Sequence, residues 1–181
     1  EGEQDLDAAM KELRAGSGLR PRTQVSARER RERLGQTGAT VWLTGLPGSG
    51  RWSLAYVLER KLFDLGHTAH VIDPTGKDLQ AVAAATQACT NAGLLTICAV
   101  EVPRQADRST VAEMLGEGRF LEVFVDTDVD LCRERRPGAS FDEFEPPAAP
   151  DLRLTMDDMQ VEKAVDEVIA LLQQRGQVVS D

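Results

Sequence analysis

Residues 45–53 read GLPGSGRWS. Gly45 and Gly50 have four residues between them, which is the spacing of a loop that cradles phosphate between a strand and a helix. The context agrees: the apolar run ATVWLT at 39–44 precedes the loop, and an amphipathic segment over 52–65 follows it. Glycines in such a loop let backbone amides turn toward an anion, and the start of the helix adds its partial positive charge. Gly45, Leu46, Pro47, Gly48, Ser49, Gly50, Arg51, Trp52 and Ser53 are therefore the candidate phosphate-binding residues. A plain glycine-rich turn is the competing reading, and the order strand, loop, helix argues against it.

Two positions depart from the motif. Such loops carry Lys and then Ser or Thr where this chain has Arg51 and Trp52. Arginine keeps the charge but is longer, planar and forked, so it does not replace a lysine point for point. The Ser or Thr hydroxyl normally reaches Mg²⁺, and an indole has no oxygen to offer. Ser53 lies about 100° further round the helix and is a poor stand-in. The loop is thus expected to lose Mg²⁺ placement more than phosphate binding, and no metal ligand is assigned. The bland reading of Trp52, an indole packed over the loop, leaves the metal equally unheld.

Outward from the loop, the short apolar runs ATVWLT, AHVID, LLTICAV, FLEVFVD and LRLTM alternate with amphipathic segments near 52–65, 78–92, 107–116 and 158–174. Strands apolar on consecutive residues are buried on both faces, as in a parallel sheet covered by helices. The expected fold is therefore α/β of the P-loop NTPase type, with about five parallel strands flanked by helices on both faces. A chain of 181 residues supports one core of this size. The expected division is an N-terminal helix and linker at 1–24, read as the tail of a preceding domain, and the P-loop domain at 25–181. The helix is DLDAAMKELR at 5–14; the linker is the Gly-, Ser- and Pro-rich AGSGLRPRTQ. In the SARERRERLG segment, Ser26 and Glu29 have capping-box spacing and Gly35 stops the helix.

A formal charge of −9, from 30 acidic and 21 basic side chains, disfavours nucleic acid as a partner. No apolar run is long enough to cross a bilayer, and the acidic start EGEQDLDAAM is unlike a signal peptide. Cys89, Cys98 and Cys132 lack CxxC spacing and read as small core residues, which implies a cytoplasmic compartment. His67, His70 and Asp73 fall at a helix-to-strand junction and read as turn and strand residues rather than metal ligands. Cys98 with Glu101 meets the same objection. Asp126 and Asp128, beyond the fourth strand, are read as helix-capping before metal-binding. Arg133, Glu134, Arg135 and Arg136 are open to two readings, a clamp on adenine or a phosphate or a solvated helix face, of which the second is favoured.

Several stretches in order resemble adenylyl-sulfate kinase: ERRERLGQTGATVWLTGLPGSG, ERKLFDLGHTAHVID, NAGLLTICAV, RFLEVFVDT followed by LCRER, and FEPPAAPDLRL. The resemblance runs from about Val25 to Leu172. It implies a P-loop kinase that moves phosphoryl from ATP to the 3′-hydroxyl of adenylyl sulfate in sulfate assimilation. It also implies ATP or ADP as bound nucleotide, a homodimer, and a fusion or partnership with ATP sulfurylase.

The departures fall on the family's working residues. Where the family has a DGDN turn, this chain has DPTG: Asp73 is kept as a vestigial catalytic candidate, and Thr75 replaces the second acid. The acceptor-gripping segment shortens to KDLQAVAAATQACT, whose alanines neither stack on a base nor clamp a phosphate. Val102, Pro103, Arg104 and Gln105 stand where the family has Ser-Pro-Phe-Arg, which moves the guanidinium by one place. Arg104 and Arg108 remain as candidate substrate-binding residues. The family's basic lid becomes the acidic PGASFDEF. Phosphoryl transfer rests on positioning and electrostatics, so losing three contacts of roughly 3 kcal/mol each costs on the order of a million-fold in rate. The expectation is a weak or inactive kinase-like domain with a regulatory or scaffolding role. The alternatives are a working kinase with a variant loop, and a docking or dimerisation module that binds no nucleotide.

Overall fold

The computed structural model of the chain describes residues 23–73 and 78–179. The expected helix at 5–14 and the replacement at Thr75 lie outside these residues. The described elements are α1 (Ala27–Leu34), β1 (Ala39–Thr44), α2 (Arg51–Asp64), β2 (Ala69–Ile72), α3 (Leu79–Asn91), β3 (Leu95–Cys98), α4 (Gln105–Leu115), β4 (Phe120–Asp126), α5 (Val129–Arg135), β5 (Leu152–Thr155) and α6 (Val161–Gln174). The strands form one five-stranded sheet in the order β2-β3-β1-β4-β5. Every pairing in it is parallel, with Val41 beside Ile97 on one flank and Leu121 on the other.

Alternation along the strands sorts side chains to two faces. Ala39, Val41 and Leu43 of β1, with Leu121, Val123 and Val125 of β4, pack under α2 and α6. Trp42 and Cys98 face the other way, against Val82 and Ala83 of α3 and Val111 and Leu115 of α4. Helices thus cover both faces, which is why the strands carry apolar residues on consecutive positions. The second face also carries polar groups. Thr40 Oγ1 lies 2.9 Å from Thr90 Oγ1, and Thr44 Oγ1 donates to Glu122 Oε1 at 2.8 Å.

The caps read from the sequence at Ser26, Gly35 and Asp128 are present, whereas Asp126 ends β4 and accepts from Arg153 Nε at 2.9 Å instead of capping a helix. Ser26 and Glu29 exchange the two hydrogen bonds of a capping box, and Gly35 closes α1 in a left-handed conformation. Asp128 caps α5, accepting from the amides of Asp130 and Leu131. Because all strands are parallel, their carboxyl ends share one edge, and β1 at the centre of the order delivers its loop into the middle of it.

Candidate functional site: an anion cradle between two cavities

Close packing makes the loop after β1 a glycine loop. A Cβ on Gly45 would stand 2.6 Å from the Val125 carbonyl oxygen. At Gly48, φ is +85° and a Cβ would stand 2.7 Å from the Cys132 carbonyl oxygen, so both the backbone conformation and the space demand glycine. The loop is tied from within and from its flanks: Ser49 N donates to Leu46 O at 3.1 Å, and Thr127 Oγ1 donates to Ser49 O at 2.9 Å. Gly50 then starts α2 with no side-chain cap. Ser49 Oγ is buried and makes no hydrogen bond within the chain. A glycine cradle, an uncapped helix start and an unpartnered buried hydroxyl together fit a phosphate group.

Arg51 is the point at which the loop departs from that chemistry. Its guanidinium is 3% exposed and turns to the end of β3, where Nη1 donates to the Val100 carbonyl and Nη2 reaches Glu101 Oε1 at 3.3 Å. Burial pushes its pKa below the ordinary arginine value; Glu101 opposes that shift and Arg136 adds to it. Trp52 is half-buried and stacks on Tyr56 with ring centroids 5.8 Å apart, so the residue that should carry a metal-binding hydroxyl packs instead. Ser53 is exposed at the rim. The residues present do not fit a Mg²⁺ ion held by the loop, and no step is assigned to one. Among the described residues there is no group of three His, Cys, Asp or Glu side chains placed to hold a metal ion.

Two cavities meet at this loop, and Glu101 lines both. One, of about 430 Å³, runs from Gly48–Ser53 past Arg135 and Arg136 to Met156, Met159 and Val161. It pairs cations near the loop with an apolar far wall. The other, of about 390 Å³, lies beside Gly45 and Pro47 and is closed by Val102, Pro103, Ser140, Glu143 and Phe144.

The arginines flagged in the sequence take separate places. Arg135 Nη1 donates to Gly48 O at 3.4 Å, and Arg136 lines the first cavity. Arg133 turns outward, pairing with Asp130 at 3.0 Å and lying over the Phe141 ring. Arg104 is exposed, with Nη2 3.7 Å from Glu143. Arg108 is 1% exposed and lines neither cavity: Nη1 donates to Val102 O at 3.0 Å and Pro103 O at 2.7 Å, and Nη2 to Glu145 O at 2.7 Å. Its Nε lies 2.8 Å from Glu122 Oε1, an ion-pair contact without the alignment of a hydrogen bond. Asp73 stands exposed just past β2 on the same sheet edge. His70 Nδ1 lies 3.7 Å from Glu59 Oε1, and buried Cys98 lies 3.2 Å from Thr86 Oγ1.

Reading the sequence missed Glu101 as the partner of Arg51, and it missed the Thr44–Glu122–Arg108 chain. One signal was available for the second: Glu122 is an acid in the middle of the apolar run FLEVFVD, and a buried acid needs a partner.

An all-parallel five-stranded sheet whose central strand feeds a glycine cradle into a helix start defines a P-loop kinase fold. The fold superposes on the Mycobacterium tuberculosis APS kinase CysC, solved in complex with AMPPNP and APS, with a TM-score of 0.68 at 28% identity. That match covers 76% of this chain and 99% of the other. The adenylylsulphate kinase family profile matches residues 37–76 and 75–143. The chain belongs to the adenylylsulphate kinase family. It is 31% identical to the bifunctional enzyme NodQ of Azospirillum brasilense over 90% of this chain and 32% of NodQ. It is 37% identical to the adenylyl-sulfate kinase of Erwinia tasmaniensis over 61% of this chain and 64% of that protein. The alignment thus spans about a third of the bifunctional relative and just under two thirds of the kinase.

Proposed function

We propose that this chain is an adenylyl-sulfate-kinase-like domain of sulfate assimilation that binds an adenine nucleotide but transfers phosphoryl weakly or not at all, serving as a regulatory or scaffolding part. The observation that carries the proposal is the placement of Arg51. The cation that should reach the outer phosphates is buried against the Val100 carbonyl and Glu101.

In this reading the phosphates lie on the amides of Gly45–Ser53 and the Ser49 hydroxyl. Arg135 and Arg136 stand beside them, and the base lies toward Met156, Met159 and Val161. The cavity beside Gly45 is the acceptor side. Glu101 stands between the two with an exposed carboxylate, where its charge repels the phosphoryl group that would have to pass. Asp73 is a remnant of the acidic turn that would have served the acceptor hydroxyl. Arg104 is the one of the two acceptor-binding candidates whose guanidinium is exposed.

The AMPPNP and APS bound by the mycobacterial relative support adenine nucleotides as ligands. The bifunctional relatives, NodQ and the CysN/CysC enzyme of Rhodopirellula baltica, support a setting beside a second enzyme, for which an ATP sulfurylase is our reading. A homodimer in the cytoplasm completes the proposal. Among the described residues, no helix is long and apolar enough to cross a membrane.

The test has two arms. The first measures 3′-phosphorylation of adenylyl sulfate with ATP and Mg²⁺, and turnover at ordinary kinase rates, on the order of 1–100 per second, overturns the reading. The second titrates ADP and ATP by calorimetry. Binding below about 1 mM is expected; its absence would favour a docking module instead.

A further inference from the structure

The acidic loop between α5 and β5 lines one wall of the cavity read above as the acceptor side. Its backbone is anchored on both sides of Glu145: the amide donates to Pro103 O at 2.9 Å, and the carbonyl accepts from buried Arg108 at 2.7 Å. Its side chains then take the available positive groups. Glu145 Oε2 accepts from Gln105 N, the first amide of α4, at 2.7 Å, and Glu143 lies 3.7 Å from Arg104. Phe144 packs on Phe124 with centroids 6.1 Å apart, which fixes the segment against the sheet.

Among the described residues, the cavity so formed is lined by two carboxylates, Glu101 and Glu143, and by no basic side chain. Among the described residues, three cations nearby are already engaged: Arg51 on Glu101, Arg104 on Glu143, and Arg108 on Glu122 and three carbonyls. Its remaining surface is Val102, Pro103 and Phe144 with the Ser140 hydroxyl. A volume of about 390 Å³ falls in the roughly 300–1,000 Å³ range of small-molecule sites.

We infer that Glu143 and Glu145 are specificity-determining residues that act as a built-in anion strap, so that the acceptor-side cavity rejects anionic ligands and takes an uncharged one of nucleoside size. The strap competes intramolecularly. A carboxylate tethered beside its donors acts at an effective concentration on the order of millimolar, which a free anion must exceed. An arriving phosphate or sulfate also meets the like charges of Glu101 and Glu143. This inference rests on the reading of that cavity as the acceptor side.

The test compares adenosine 5′-phosphate with adenosine by calorimetry on the full chain, with ADP at saturation to fill the phosphate loop. In the wild-type chain adenosine is expected to bind at least as tightly as adenosine 5′-phosphate. Glu143→Gln/Glu145→Gln removes the charges and leaves the backbone anchors of the loop in place. It is expected to tighten adenosine 5′-phosphate binding about fivefold or more, with less than about a twofold change for adenosine. A smaller gain in a variant with native circular dichroism overturns the inference. So does wild-type preference for the phosphate, or failure of both compounds to bind either protein at about 10 mM.

If the double variant does not fold, Glu143→Gln alone alters an exposed carboxylate, and a gain under about threefold then counts against the strap. ADP is titrated first. Its failure to bind overturns the nucleotide reading, and the same wild-type-to-variant comparison, run without ADP, still decides the inference.

Discussion

Replacing Arg51 by alanine separates a guanidinium that holds the fold from one that waits for phosphate. In the structure its side chain is 3% exposed, donates to the Val100 carbonyl and pairs with a Glu101 side chain that is 53% exposed. Truncation leaves the buried Val100 oxygen without that donor, which costs about 1–3 kcal/mol. Loss of the packed aliphatic stem adds about 2 kcal/mol. The ion pair adds at most about 1 kcal/mol, because Glu101 regains water. Against these stands the desolvation cost of the buried guanidinium, which the variant no longer bears and which the lowered arginine pKa records. The net expectation is a loss of about 2–3 kcal/mol, or roughly 4–12 °C in Tm for a chain of this size. Equilibrium unfolding in urea without nucleotide, followed by circular dichroism and by the fluorescence of Trp42 and Trp52, measures it. The same variant is expected to weaken ADP binding less than about tenfold, since the side chain is already committed elsewhere. A stability change under about 0.5 kcal/mol combined with lost ADP binding would refute the reasoning, because the guanidinium would then be a phosphate ligand.

Arg108→Ala is expected to cost about 3–5 kcal/mol in the same unfolding experiment, because it strands buried Glu122 and several carbonyls at once. Gly48→Ala combines a positive φ with a 2.7 Å approach to the Cys132 carbonyl, and a loss of about 1–3 kcal/mol with weaker ADP binding is expected. Burial pushes the Cys98 thiol from the ordinary 9.0 up to about 12. At pH 8 it is expected to resist iodoacetamide in the folded protein while half-buried Cys89 reacts first, as read by peptide mass spectrometry. Above pH 9 the unfolded chain ionises at this position before the folded one does. The Cys98 contribution to stability therefore declines as pH rises from about 9 to about 12, and urea midpoints across that range check it.

Much of the architecture was legible because local patterns carry it. Strand runs apolar on consecutive residues could only be buried on both faces, and FLEVFVD and ATVWLT are the observed β4 and β1 residue for residue. The capping box at Ser26, the stop at Gly35 and the cap at Asp128 each rest on hydrogen bonds between near neighbours. The loop at 45–53 was legible for the same reason, since glycine spacing between a strand and a helix is a local constraint. Ends were less legible: α4 begins at Gln105 and α6 at Val161, rather than near 107 and 158, because no side chain at Arg104 or Gln160 caps the first turn.

What the sequence by itself determined was therefore the sheet, its helices and a cradle shaped for an anion, along with the loss of a hydroxyl at Trp52. Only the tertiary structure decided where the charges go. Arg51 meets Glu101 from 50 positions away, Arg108 meets Glu122 from another element, and Glu145 reaches Gln105 across 40 positions. A charge is the same letter whether it is free or paired. Which of the two it becomes depends on partners that the parallel sheet brings to one edge and that no local pattern names.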